Sequence, residues 1–134
     1  MVVVARRYRC VPCGAVLIVV PCEVRGRRVY SACAIGLALA LWGLLEATAG
    51  QVRGRVCPAK VLGAAGVTGW ATLRRWARDI RRRRLFPSSP DPDPCGSLRL
   101  VAARAASALA ARADPTTRAL LLEQRAFLGA AQVA

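Results

Sequence analysis

Histidine is absent from the 134 residues, lysine occurs once, at Lys60, and only 7 acidic residues stand against 21 basic ones. Without an imidazole no Ser–His or Cys–His nucleophile pair can form, and a metal site loses its commonest ligand. The carboxylates Glu23, Glu46, Asp79, Asp91, Asp93, Asp114 and Glu123 are scattered, with Asp91 and Asp93 inside a proline-rich stretch. A two-metal hydrolytic centre needs carboxylates converging from rigid elements on ions about 4 Å apart, and this spacing does not offer that. A glycine-rich phosphate loop closing on Lys-Ser/Thr is missing too. Together these absences read against an enzyme.

Long apolar runs are also lacking. The longest extends only from Ala32 to Leu45, where Glu46 interrupts it; a bilayer crossing takes about 20 residues, and shorter runs are usually buried helices. Gly36 and Gly43 share a face of this run, which permits close helix packing. The first residues place a few valines ahead of Arg6 and Arg7, the reverse of a secretory leader, so a cytoplasmic location is expected. In that compartment Cys10, Cys13, Cys22, Cys33, Cys57 and Cys95 are expected as thiols or metal ligands rather than as a disulfide framework.

Aromatic residues make up 5% of the chain, while hydrophobic residues reach 55%, mostly Ala, Leu and Val. Such a mixture can fill a core and favours helices over sheets. The formal charge is +14, carried almost wholly by arginine. GC-rich coding raises Arg and Ala together, but guanidinium forks also suit bidentate contact with phosphates and guanine edges. Double-stranded DNA is therefore the expected partner, and no small-molecule substrate is expected.

Four segments follow from the texture. Residues 1–30 alternate β-branched runs with Gly and Pro, as short strands do. Residues 31–86 read as a helical DNA-binding unit, with Ser31 capping a first helix and Thr48 preceding a second that Cys57-Pro58 ends. Residues 87–97 form a proline-rich linker, and residues 98–134 read as two helices, 98–113 and 116–131, separated at Asp114-Pro115. Leu98, Val101, Ala105, Ala108 and Leu109 give the first a stripe; Leu120, Leu121, Phe127 and Leu128 give the second another. The fold expected is mainly α: a homeodomain-like helix-turn-helix unit behind a small β-hairpin or partial zinc ribbon, followed by a C-terminal helical pair.

The strongest pattern starts at Gly66-Val67-Thr68-Gly69. Gly66 permits a tight turn, Val67 can plug the space between two helices, and Thr68 can cap the next helix. Trp70, Leu73, Ala77 and Ile80 then recur at helical spacing and form one apolar stripe. Arg74, Arg75, Arg78, Arg81, Arg82, Arg83 and Arg84 cover the rest of the circumference, with Asp79 the acidic exception. Thr72, Arg74, Arg75 and Arg78 are the candidates for base edges; Arg81, Arg82, Arg83 and Arg84 are the candidates for phosphates. An ordinary amphipathic helix with a solvated basic face would look similar. Trp70 lies on the stripe and is expected in the core, whereas Trp76 sits toward its edge and could equally stack on a base.

Cys10-Val-Pro-Cys13-Gly14 has the form of a zinc knuckle, in which two thiolates of one turn point at one ion. Zn²⁺ is the cofactor this motif offers. Two ligands are half of a tetrahedral set; Cys22 and Cys33 could supply the others, although their spacing matches no established pattern.

Three stretches together resemble bacterial proteins that couple an N-terminal zinc ribbon to a helix-turn-helix and are associated with insertion-sequence transposases. They are Arg6-Arg-Tyr-Arg-Cys-Val-Pro-Cys-Gly, then Tyr30-Ser-Ala to Leu41-Trp-Gly, then Gly69-Trp-Ala-Thr-Leu-Arg-Arg-Trp-Ala-Arg. The resemblance implies sequence-directed DNA binding at element ends, with Cys10 and Cys13 as half of a ribbon. A ribbon of that kind carries an earlier cysteine pair, so a truncated copy is the expectation for this chain. The function expected is non-catalytic DNA binding, with a transposase as partner or self-association through the C-terminal helices. Two alternatives stand beside it: a small membrane-associated protein with a basic amphipathic helix, and a non-functional truncated reading frame.

Overall fold

The computed structural model describes residues 6–14, 16–19, 30–57, 70–88 and 95–133. Among these the chain is mainly helical, with one short hairpin: β1 (Arg6–Arg9), β2 (Val16–Val19), α1 (Ala32–Gly43), α2 (Ala49–Val56), α3 (Ala71–Arg81), α4 (Leu98–Ala111), a 3-10 turn (Pro115–Ala119) and α5 (Leu122–Ala131). No helix of the described residues is long and apolar enough to cross a membrane. The segment 60–65, the turn Gly66–Gly69 with Val67 and Thr68, Cys22, and the linker interior with Asp91 and Asp93 lie outside the described residues.

The helices begin where polar caps are available. Ser31 accepts the Ala34 amide at 3.1 Å and opens α1. Thr48 and Gln51 form a reciprocal capping box at α2, the Thr48 amide donating to Gln51 Oε1 at 2.8 Å and the Gln51 amide to Thr48 Oγ1 at 3.3 Å. Ser97 accepts the Leu100 amide at 3.2 Å and opens α4. In each case an orphan first-turn donor is satisfied by a side chain a few residues earlier.

The continuous apolar run is explained by position. α1 is the central helix, flanked by α4 and α5 most extensively and by α2 and α3 as well. A helix covered on most sides needs no polar face, and Ile35, Ala38, Leu39, Ala40, Leu41 and Trp42 are all buried. Residues from 31–86 and from 98–134 share one apolar core, so the proline-rich stretch joins two parts of a single packed body.

Small residues set the spacing of the bundle. A Cβ at Gly43 of α1 would collide with the Ala103 backbone of α4, and one at Gly129 of α5 would collide with the Leu109 carbonyl of α4. Gly36 of α1 meets α5 in the same way, its Cβ position lying 2.8 Å from the Ala126 carbonyl oxygen.

This spacing reverses the expectation for the last helix. Ala126, Gly129 and Ala130 face inward, while Leu120, Leu121, Phe127 and Leu128, expected to form the inner stripe, are exposed, Leu121 to 62%. Large side chains cannot enter an interface where backbones nearly touch. The helix expected at 116–131 is likewise divided. Asp114 accepts from the Thr116 amide at 2.8 Å and from its hydroxyl at 2.6 Å, turning the chain into the 3-10 segment. α5 restarts at Leu122, where the Leu121 amide donates to Gln124 Oε1 at 3.0 Å.

Gly129→Ala is expected to destabilise the protein by about 1–3 kcal/mol through overpacking. Gly50→Ala, on α2 with nothing within 4 Å of its Cβ position, is expected to stabilise by about 0.5–1 kcal/mol. Urea denaturation of the two variants checks the contrast. The Thr116 hydrogen bonds hold the Asp114 carboxyl below its usual range. Its contribution is therefore present at neutral pH and fades as acidification passes through that lowered value. The stability difference between wild type and Asp114→Ala should accordingly shrink below the ordinary carboxylate range, as thermal melts across a pH series would show.

Candidate nucleic-acid interface

α3 is amphipathic, and its inner face is deeper than the sequence stripe suggests. Leu73, Trp76, Ala77 and Ile80 are buried against α4 and α1, Trp76 to 2% exposure. Trp70 holds the N-cap position without a side-chain cap bond and is half-buried, so the helix starts at Ala71. Trp70, expected in the core, packs against it but is only partly buried. Trp76, at the stripe's edge, is the core residue, and its burial leaves no face for a base.

An aromatic trio holds this arrangement. Tyr30, Trp70 and Trp76 meet edge to face, with centroids 5.6 Å (Tyr30–Trp70), 5.2 Å (Tyr30–Trp76) and 5.3 Å (Trp70–Trp76) apart. Tyr30 thus ties the start of α1 to the first turns of α3. Burial raises its phenol pKa, and a hydrogen bond with Cys57 adds to the rise, while the Arg53 and Arg75 guanidiniums oppose it. Sequence reading placed Tyr30 at the end of a β-branched run and missed this role, because nothing local marks a contact with residues 40 positions onward.

With that face inward, successive residues turning by about 100° distribute the arginines around the helix. Arg75, Arg78 and Arg82 stand on the exposed outer side. Arg74, exposed, borders one flank, and half-buried Thr72 lies on the other with Asp79. The eight expected site residues therefore do not form one surface.

The terminal run also departs from the helix. α3 ends at Arg81; the Arg83 amide donates to the Ile80 carbonyl at 2.8 Å and the Arg84 amide to the Asp79 carbonyl at 2.8 Å. Arg83 has φ 54, so these bonds close a Schellman motif with arginine in the position glycine usually takes. Arg81 and Arg83, expected at phosphates, each donate a hydrogen bond within the molecule. Arg81 is partly buried and donates to the Gly96 carbonyl, and Arg83 donates to the Pro87 carbonyl at 3.1 Å. Arg82 and Arg84 remain exposed.

Cys10 and Cys13 lie in the turn of the β1–β2 hairpin, where the Gly14 amide donates to the Cys10 carbonyl at 2.9 Å and Gly14 takes φ 68. Cys33, considered as a further ligand, is buried in α1, and the described residues gather no group of three or more Cys, Asp or Glu.

Trp76→Ala is expected to cost about 3–5 kcal/mol, as for other buried aromatics, and Trp70→Ala less. Guanidinium denaturation of both variants measures the order, and a larger loss at Trp70 would contradict the packing. Compared with protein-family models, curated proteins and solved structures, the chain matches none.

Proposed function

We propose that the chain binds double-stranded DNA through the outer face of α3, acting as the recognition helix of a helix-turn-helix. The observation that carries this reading is the row Arg75, Arg78 and Arg82, exposed on a helix whose opposite face is buried, in a chain of net charge +14. The 11 residues of α3 span about 16 Å at about 1.5 Å each, and a major groove about 12 Å wide admits a helix. Arg75 and Arg78 are placed for base edges, Arg82 and Arg84 for phosphates. Thr72 and Arg74 reach the groove only from the flanks. The setting we favour is cytoplasmic and non-catalytic, at the ends of mobile elements, in keeping with the resemblance to transposase-associated proteins. Zinc at Cys10 and Cys13 belongs to that reading as a structural ligand pair completed from outside the described residues.

Each phosphate neutralised releases counterions and steepens the dependence of log K on log salt by about 0.9. Fluorescence anisotropy with a labelled duplex across a salt series should give a steep negative slope for the wild type. The triple variant Arg75→Ala, Arg78→Ala, Arg82→Ala should bind more weakly and flatten that slope, whereas Arg81→Ala should leave it unchanged and lower stability. A wild-type protein that ignores duplex DNA in dilute buffer, or a triple variant with an unaltered slope, would end this reading.

A further inference from the structure

A hollow of about 450 Å³ lies where α1, α2, α3 and α4 meet, away from the outer face of α3. It is lined by Trp42, Thr48, Ala49, Trp70, Ala71, Leu73, Arg74 and Arg99. Its volume falls within the range of small-ligand sites, about 300–1,000 Å³, and its make-up follows their pattern of an apolar floor with few polar groups. Trp42, Trp70 and Leu73 form the floor. Arg74 and Arg99 supply two positive charges, and no carboxylate is among the described lining residues.

Two guanidinium groups sharing one hollow without a carboxylate repel each other, and an anion between them would remove that cost. Arg99 is already positioned, its guanidinium carbon 5.8 Å from the Trp42 ring centroid. Trp70, half-buried, is the second tryptophan lining the same hollow. The first residues of α2 and α3 line the same hollow, and helix N-termini add to the preference for negative charge.

We propose that this hollow is a nucleotide-binding site, with the phosphate between Arg74 and Arg99 and the base against Trp70. Arg74 borders both this site and the duplex-binding face, whereas Arg99 belongs to α4, has no part in the α3 outer row and so separates the two. The nucleotide can come free in solution or as one unit of a single strand, since both offer a base and a phosphate in the same chemistry.

Calorimetric titration of the full chain with adenosine monophosphate, adenosine and inorganic phosphate tests the proposal. The monophosphate should bind at least ten-fold more tightly than either of its parts. Arg74→Gln and Arg99→Gln should each weaken it by about ten-fold, the loss of one charge-assisted hydrogen bond, while Arg104→Gln on the exposed side of α4 should not. Arg99→Lys, which keeps the charge, should retain part of the affinity, and thermal melts of every variant confirm that it is folded. A short oligothymidylate binding more tightly than thymidine monophosphate assigns the site to a single strand; the reverse assigns it to free nucleotides. No binding by mononucleotide or oligonucleotide, or equal binding by the folded Arg74→Gln, Arg99→Gln double variant, overturns the proposal. Duplex affinity in the Arg99→Gln variant should be unchanged, so the two readings fail separately.

Discussion

The near-contact of backbones at Gly43 against Ala103 and at Gly129 against Leu109 is the constraint on which the bundle depends. Where main chains approach this closely, only hydrogen or methyl side chains fit between them, so the points of closest approach among α1, α4 and α5 are made by glycine and alanine. Such residues gain little from transfer out of water, and the interface is held by dispersion and shape. The larger apolar contribution comes from elsewhere. Trp76, Phe86, Leu73, Leu85, Ile35 and Leu39 are fully buried, each contributing about 1.5–3 kcal/mol, and four of these six lie on or just after α3. The helix with the most charged exterior is thus also among the most firmly anchored.

Arginine serves two ends in this molecule, and the net charge does not distinguish them. Arg125 donates to the Ala110 carbonyl at 3.1 Å, satisfying the end of α4, and Arg112 donates to the Ser88 carbonyl at 3.0 Å. Arg81 closes on Gly96, with its Nε buried and without a partner. These guanidiniums finish helix ends and loops for which the sequence has few other polar groups. Among the described residues the guanidiniums of Arg75, Arg78 and Arg82 make no such hydrogen bond, and these side chains are exposed. A count of basic residues therefore overstates any polyanion-binding surface, and burial is what separates the structural members from the others.

Much of the architecture was legible because it rests on short-range chemistry. Ser31, Thr48 and Ser97 stand at helix starts, and the Leu73–Ala77–Ile80 stripe and the Val101–Ala105–Leu109 stripe mark buried faces by their spacing. The failures have a common cause in contacts between distant segments. Hydrophobicity assigned the inner face of α5 to its largest residues, whereas the neighbouring carbonyl at Leu109 admits only Gly129. Trp76 was drawn inward by Tyr30, which lies far away in sequence. The departure of Arg83 from the helix was hidden because glycine is the usual signal for that conformation. The hollow at Trp42, Trp70, Arg74 and Arg99 draws on three separate helices, so no local motif announces it.

The sharing of one core across the proline-rich stretch has a further consequence. α1 and α3 precede that stretch, α4 and α5 follow it, and the two groups bury their faces in each other. Arg81 and Arg112 also reach across it, from either side, to Gly96 and Ser88. The proline-rich stretch is thus an internal connection of one packed body, and the order of the chain on either side of it does not divide the core.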